Sequence, residues 1–279
     1  MPIPNVPKKI DSEALFRPAD FLAYLGRIGI AVSHRPAPDA VILSYQKSLS
    51  EHVLQKYPCE RAKGYFGRFI HYIDLPDSTR SIAIAADFGV GAPAAAVMLE
   101  ELIAWGVKEF VSMGLAGSLS EDLPPGSLVV CDGAFRDEGT SHHYIGGDVP
   151  VRPDPALTGR LEVALGDAGL SYAKGPTWTT DAIYRETPLE VRHFREQGAL
   201  VVEMEAAALF AVAQYRGARI ASCFSVSDTL AYLEWRPEFH AEPTVQGLET
   251  LFSCAVRALQ WGAGHGDRPF GTAGGRHNI

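Results

Sequence analysis

The chain has 279 residues, 47% of them hydrophobic and 21% charged, with a formal net charge of −8. An acidic balance argues against a binder of phosphate backbones, whose affinity rests on clustered Lys and Arg. With no apolar run long enough to span a bilayer and no charged-then-apolar leader at the start, the expectation is a soluble, cytoplasmic protein that handles a small molecule, with neither nucleic acid nor membrane as partner.

Residues 1–38 place Pro2, Pro4, Pro7, Pro18, Pro36 and Pro38 around one apolar segment, FLAYLGRIGIAV, which predicts an irregular arm with a short helix. From residue 39 to residue 262 strand and helix patterns follow one another without a linker, so a single α/β domain is expected there. AVILSY (Ala40–Tyr45) is a β-rich run with a helical stretch behind it to Tyr57, and FGRFIHYIDL and RSIAIAADF alternate as strands do. Asp87–Leu119 then reads as strand end, glycine turn, helix from about Ala94 with Met98, Leu102 and Trp105 on one face, stop at Gly106, strand Phe110–Met113, and a second glycine turn. Glycines at such turns let a backbone approach a ligand and aim N–H groups at an anion, which makes Gly89 and Gly91 candidates; GVGAP also fits a plain tight turn. Gly89, Gly91 and Ala94 meet only a loose dinucleotide fingerprint, and the acid expected after the next strand is missing, since that strand ends Ser112, Met113, Gly114. No cofactor is expected.

Ser127–Gly147 gives a buried strand and a polar loop with Arg136, Asp137, Glu138, Thr140, Ser141, His142, His143 and Tyr144, the composition of a site wall. On a strand the adjacent histidines would point to opposite faces, poor geometry for one metal, so no metal is expected. Cys59, Cys131, Cys223 and Cys254 stand far apart without CxxC spacing and read as reduced core thiols. Asp154 with Pro155 starts a scaffold helix whose buried face carries Leu157, Leu161 and Leu165. Thr179–Arg185 is a polar strand end, and Thr187, Pro188 and Glu190 open another helix with a capping box. Tyr184 and Arg185 suit ring stacking and carbonyl recognition; for Arg185 a surface salt bridge stays open.

The most informative stretch is VVEMEAAALF (Val201–Phe210), where a buried strand meets Glu203, Met204 and Glu205 at the switch into an alanine-rich helix. In open α/β sheets ligands bind at such switches. The two carboxylates can accept hydrogen bonds from vicinal hydroxyls and stabilise positive charge on a sugar ring, or one of them can cap the helix. Arg219–Thr229 is a last core strand ending in Ser225, Ser227 and Asp228, and a carboxyl there is either a half-desolvated proton donor or the cap of the next helix. A final helix over about Thr244–Trp261 precedes a glycine-rich tail, residues 263–279, too poor in apolar groups to order itself.

In order along the chain, FGVGAPAAAVMLEELIAWGVKEF, FRDEGTSHHY, TWTTDAIYRET, VVEMEAAALFAVAQYRG and SVSDT together resemble the nucleoside phosphorylase and nucleosidase superfamily, in its uridine-phosphorylase-like branch, from about Ala40 to Leu259. The resemblance implies a three-layer αβα sandwich around a mixed, partly barrelled sheet, assembled as dimers or as hexamers of dimers. It implies a nucleoside and phosphate as substrates and no cofactor. Glu205 would bind the ribose hydroxyls, Met204 would lie under the sugar with Glu203 beside it, and Ala116 and Gly117 would line sugar and base. Tyr184 and Arg185 would lie near the base, and Asp228 would protonate it or hydrogen-bond to it as it leaves. That acid is typical of the purine-specific relatives and not of the uridine enzymes. The family's phosphate-binding glycine, aspartate and arginine after the first strand are replaced here by SYQKSL (Ser44–Leu49), and its arginine and threonine near the second glycine turn by Ser112 and Leu115. Gly89, Gly91, Ser112 and Lys47 are the candidates left for phosphate, with Lys63 or Arg68 as further sources of charge. Phosphorolysis to free base and ribose 1-phosphate is the expected reaction; hydrolysis by a nucleosidase, or nucleoside binding without catalysis, remain open.

Overall fold

Strand β1 (Ala40–Ser44) is buried at every residue, with Val41 and Leu43 packed into one hydrophobic cluster and Ala40 and Ile42 into another. A strand apolar on both sides has to lie inside a sheet covered on both faces. The protein is seen as a computed structural model that describes residue 6, residues 8–76 and residues 78–262.

Around β1 the sheet adds β2 (Cys59–Arg61), β3 (Ile70–Ile73) and β4 (Ile82–Ala85), then β5 (Glu109–Ser118), β6 (Leu128–Asp137), β7 (Ala173–Thr180), β8 (Val201–Glu203), β9 (Arg219–Thr229) and β10 (Arg236–Pro237). The order is β10-β9-β6-β7-β8-β5-β1-β4-β3-β2, and β9 also pairs with β5. That extra pairing closes β5, β9, β6, β7 and β8 into a ring, with β1 to β4 as an open wing. Pairings β1–β4, β1–β5, β5–β9, β6–β7 and β7–β8 are parallel and the others antiparallel, so the sheet is mixed. Helices α3 (Ala92–Trp105) and α6 (Ala206–Arg216) cover one face, with α1 (Pro18–Arg27) against α3. Helices α2 (Lys47–Lys56), α4 (Pro155–Asp167) and α7 (Glu242–Gln260) cover the other, while α5 (Pro188–Glu196) packs beside β7 and β8 over Trp178. This is the three-layer αβα sandwich that the resemblance implies.

Local departures have physical causes. The predicted second glycine turn is not a turn: β5 runs straight through Gly114–Gly117, because bare backbone is needed there to let neighbours in. A Cβ on Gly114 would come 3.2 Å from the Tyr45 ring, and one on Gly117 3.1 Å from Val202 Cγ1. FGRF forms a 3-10 turn (Tyr65–Arg68) ahead of β3, and α7 starts at Glu242, two residues earlier than expected. His142 and His143 sit on a 3-10 turn, not on a strand. The arm 1–38 contains α1, and the tail 263–279 lies outside the described residues.

At the amino-terminal end of β5 Glu109 is fully buried and receives Arg80 at 2.6 Å, Arg160 at 2.7 Å and Arg219 at 2.7 Å. Burial alone would raise its carboxyl, but the arginines win and hold it below the usual glutamate range. A lowered acid contributes stability above its unfolded pKa and loses it as pH falls. Glu109→Gln leaves the buried Arg160 without its counter-charge, so it should cost about 3 kcal/mol at pH 7. Urea unfolding of the two proteins should show that gap at pH 7 and a shrinking one below pH 4; a constant gap would mean that charge is not its source.

Candidate active site

The pleat carries β8 out of the core at Glu203, and α6 begins three residues later, so two carboxyls are trapped at one strand-to-helix switch. Their roles separate. Glu203 Oε2 accepts the N–H groups of Glu205 and Ala206, both at 2.8 Å, and its Oε1 accepts the hydroxyls of Thr179 at 2.5 Å and Thr177 at 3.4 Å. Thr179 Oγ1 in turn accepts the N–H of Ala207 at 3.0 Å. Glu203 is therefore the carboxylate that caps α6 and ties it to β7. Glu205, although it occupies the N-cap position, makes no capping bond with its side chain. Its Oε1 instead accepts the N–H of Gly91, the N-cap of α3, at 2.6 Å.

Two helix starts thus meet at one acidic pair, and their positive dipole ends favour negative charge there. Burial opposes it. Glu205 is pushed up to about 8, by burial first and then by the charge of Glu203, while Gly91 N–H pulls the other way. Burial also raises Glu203, against the donors of Thr179, Glu205, Ala206 and Thr177. With that many donors Glu203 ionises first, and Glu205 keeps a proton until a partner on the open side stabilises its charge.

Met204 is half-buried between the two acids, its Cε 3.9 Å from where a Cβ on Gly91 would lie, and so covers the glycine turn. Ala116 and Gly117 lie side by side on β5, with the register slipping between them so that Gly117 pairs with Asp228 on β9. A Cβ on Gly117 would stand 3.2 Å from Asp228 Oδ2. Asp228 is 8% exposed, accepting the Ser227 hydroxyl on Oδ1 at 2.6 Å and the Trp235 indole N–H on Oδ2 at 3.0 Å. Burial raises its pKa and those two donors pull it back. It lies inside β9 and caps no helix, since the next one, α7, starts at Glu242.

The structure brings Glu203, Met204, Glu205, Ala116, Gly117 and Asp228 together around the ends of β5, β8 and β9. It leaves Tyr184 94% exposed and Arg185 exposed, on a 3-10 turn at the rim. The phosphate candidates scatter. Gly89 and Gly91 do turn the chain between β4 and α3, with φ of +102° and +90°, but Gly91 has given its N–H to Glu205. Ser112 is buried and its Oγ lies 2.9 Å from the Tyr45 hydroxyl. Lys47 points away: it opens α2, is exposed, and pairs with Glu51 one turn on at 3.4 Å. Lys63 and Arg68 are exposed too, Arg68 lying over the ring of Phe69.

Sequence reasoning passed over several residues here. Tyr45 packs edge-on against Phe88 next to Glu205, and burial, then the Glu205 charge, hold its hydroxyl protonated. The Gln46 Oε1 is buried beside Gly114 without a partner among the described residues. Glu186 is half-buried and pushed up to about 7, by burial and then by the charges of Asp228 and Glu190. Trp235 lies six residues beyond the end of the nearest motif, SVSDT, and no spacing rule points to it.

Acids gathered at the strand ends of a mixed sheet covered on both faces stand where ligands bind in α/β folds. The pattern of the phosphorylase superfamily matches residues 45–259, and the chain belongs to that superfamily. A guanosine phosphorylase of Halorubrum lacusprofundi is 36% identical over 142 residues, which are 51% of this chain and 59% of that protein. A uridine phosphorylase of Treponema pallidum is 29% identical over 190 residues, 64% of this chain and 73% of that one. Among solved structures, uridine phosphorylase from Vibrio fischeri ES114 superposes with a TM-score of 0.68 at 23% identity, covering 81% of this chain and 92% of its own. Purine nucleoside phosphorylase from Toxoplasma gondii in complex with immucillin-H does so with a TM-score of 0.71 at 20% identity, covering 81% and 91%. At these identities the structural likeness is one of fold.

Proposed function

We propose that the protein is a nucleoside phosphorylase, an enzyme that cleaves the N-glycosidic bond of a nucleoside with phosphate to give free base and ribose 1-phosphate. The observation that carries this reading is the division of labour among the buried acids. Glu203 is spent on the fold, while Glu205 is held beside it by a single glycine N–H. Breaking the bond at C1′ builds positive charge on the ribose and negative charge on the base. Hydroxyl donors of the bound sugar stabilise Glu205 as a carboxylate, its proton passing to solvent as the nucleoside binds, so that a negative charge stands beside the ribose when the cation forms, and Met204 supports the sugar. Asp228, on the neighbouring strand end, donates to the departing base, and Ala116 and Gly117 give the ring room. Displacement at a saturated carbon needs no redox step, and charge stabilisation by these side chains serves without metal or cofactor. Named relatives that act on guanosine, uridine and purine nucleosides support the substrate class.

Exposed Tyr184, Leu189 and Val90 at the rim favour a homo-oligomer in which a second subunit covers them. Among the described residues no helix is long and apolar enough to cross a membrane, and we place the enzyme in the cytoplasm.

One observation favours water as nucleophile. Tyr45 and Gln46 just past β1 and Ser112 inside β5 are all uncharged, whereas a phosphate near two negative charges normally leaves water for arginine or several N–H donors. Phosphate is expected to be used with an apparent affinity in the millimolar range, about 4 kcal/mol of binding. Initial rates against phosphate concentration, with the sugar product identified, decide between the readings. Saturation with ribose 1-phosphate supports the phosphorylase; a phosphate-independent rate that yields free ribose makes it a nucleosidase.

A further inference from the structure

We infer that Trp235 is a positioning residue of the base subsite, its indole N–H holding Asp228 Oδ2 against Gly117 so that the carboxyl meets the edge of the base in one orientation. The inference rests on the base-side role given to Asp228 above.

The indole bonds Oδ2 at 3.0 Å, yet the tryptophan is 62% exposed. A tryptophan that serves packing hides its ring; this one leaves most of the ring in water, with Phe239 tilted beside it at 6.3 Å, and turns its N–H inward. The segment that carries it is fixed by other means. Leu233 N–H bonds Leu230 O at 2.8 Å, Ala231 N–H bonds Thr229 Oγ1 at 3.1 Å, and Arg195 of α5 donates to Ala231 O at 3.0 Å. Beyond Trp235 the chain re-enters the sheet, Arg236 opposite Thr229 and Pro237 opposite Asp228, and Glu238 N–H bonds Ser227 O at 2.8 Å. Between these anchors Leu233 sits at φ +60°, a left-handed backbone that a leucine rarely adopts. That turn brings the chain back so that residue 235 reaches Asp228. Removing the N–H therefore leaves the segment in place.

The consequence is electrostatic. With Ser227 on one oxygen and Trp235 on the other, two donors favour the ionised carboxyl against its burial. The other charges nearby are Glu186 ahead of α5, whose carboxyl feels Asp228; Glu190, spent on the Thr187 cap; Arg195, spent on Ala231 O; and Arg236, spent on Glu234 and the Tyr232 ring. None of them donates to Asp228, so Trp235 and Ser227 make the two hydrogen bonds that oppose the burial that raises it. The exposed indole face beside the carboxyl offers a flat wall to the base.

The test is Trp235→Phe, which keeps the ring and deletes the donor. Carboxyl 13C NMR of aspartate-labelled protein, with Asp228 assigned by its loss in Asp228→Asn, should place the Asp228 titration about one pH unit higher in Trp235→Phe than in wild type. With a 6-oxopurine nucleoside the alkaline limb of kcat should move up by the same amount, and KM should rise about tenfold. An unmoved Asp228 titration in folded Trp235→Phe overturns the inference whether or not the enzyme turns over. A moved titration with no turnover in wild type upholds the Trp235–Asp228 coupling and overturns the phosphorylase reading instead.

Discussion

Replacing Glu205 with glutamine is expected to lower turnover by two or more orders of magnitude while leaving the fold intact. The amide keeps an acceptor for Gly91 N–H, so the link between the starts of α3 and α6 survives. What it cannot do is carry a negative charge beside the ribose when the cation forms. One charge-assisted hydrogen bond lost at a transition state is worth roughly 3 to 4 kcal/mol, or several hundredfold in rate. Stability should move the other way. Glu205 has its pKa raised to about 8, so in the folded protein it favours the neutral form. A raised acid contributes its stability below its unfolded pKa and loses it as pH rises through the folded one. Wild type should therefore lose stability between about pH 4.5 and 8 from this group, and Glu205→Gln should not. Melting curves at pH 5 and pH 8, beside turnover with a saturating nucleoside, check both halves. Near wild-type activity in the folded variant would remove Glu205 from the chemistry, and a lowered melting temperature at pH 8 would make it a structural acid.

Much of this site was legible because its residues sit on short, ordered motifs. Glu203, Met204 and Glu205 fall at a strand-to-helix switch that hydrophobic patterning locates, and Asp228 stands near the end of the core strand that begins at Arg219. The same patterning gives the covered sheet, since β1 and β4 are apolar on both sides. Which acid caps α6 was not legible: both lie within reach of the same N–H groups, and only the path of the chain gives them to Glu203. Gly114–Gly117 misled for a related reason. Glycine marks either a turn or a close approach, and the neighbours that decide, Tyr45, Val202 and Asp228, are distant in sequence. Lys47 stands near the place where the family keeps a phosphate-binding arginine, but the first turn of α2 aims it at Glu51. Trp235 and Glu186 belong to no motif, and their closeness to Asp228 depends on how β10 and α5 return to the end of β9.

Asp228→Ala should reduce the cleavage of purine nucleosides by ~10² to 10⁴, the range of a lost general acid. A purine anion is a poor leaving group until its ring is protonated, and burial raises Asp228 toward holding a proton, against the Ser227 and Trp235 donors. The size of the loss should follow the base. A nitrophenyl riboside carries its leaving charge without help, so the variant should cleave it at close to the wild-type rate, while guanosine or inosine falls steeply. The structure argues against a merely mechanical effect. Trp235 is mostly exposed and can give its freed N–H to water, and the Ser227 hydroxyl lies 3.4 Å from Ala116 O, so neither donor is left orphaned. The melting temperature should therefore change little. The comparison of the two substrates in the Ala variant is the measurement. A steep loss for the purine nucleoside alone assigns the proton to Asp228, and equal losses for both would mean that the carboxyl keeps β9, β10 and Gly117 in place and takes no part in the departure of the base.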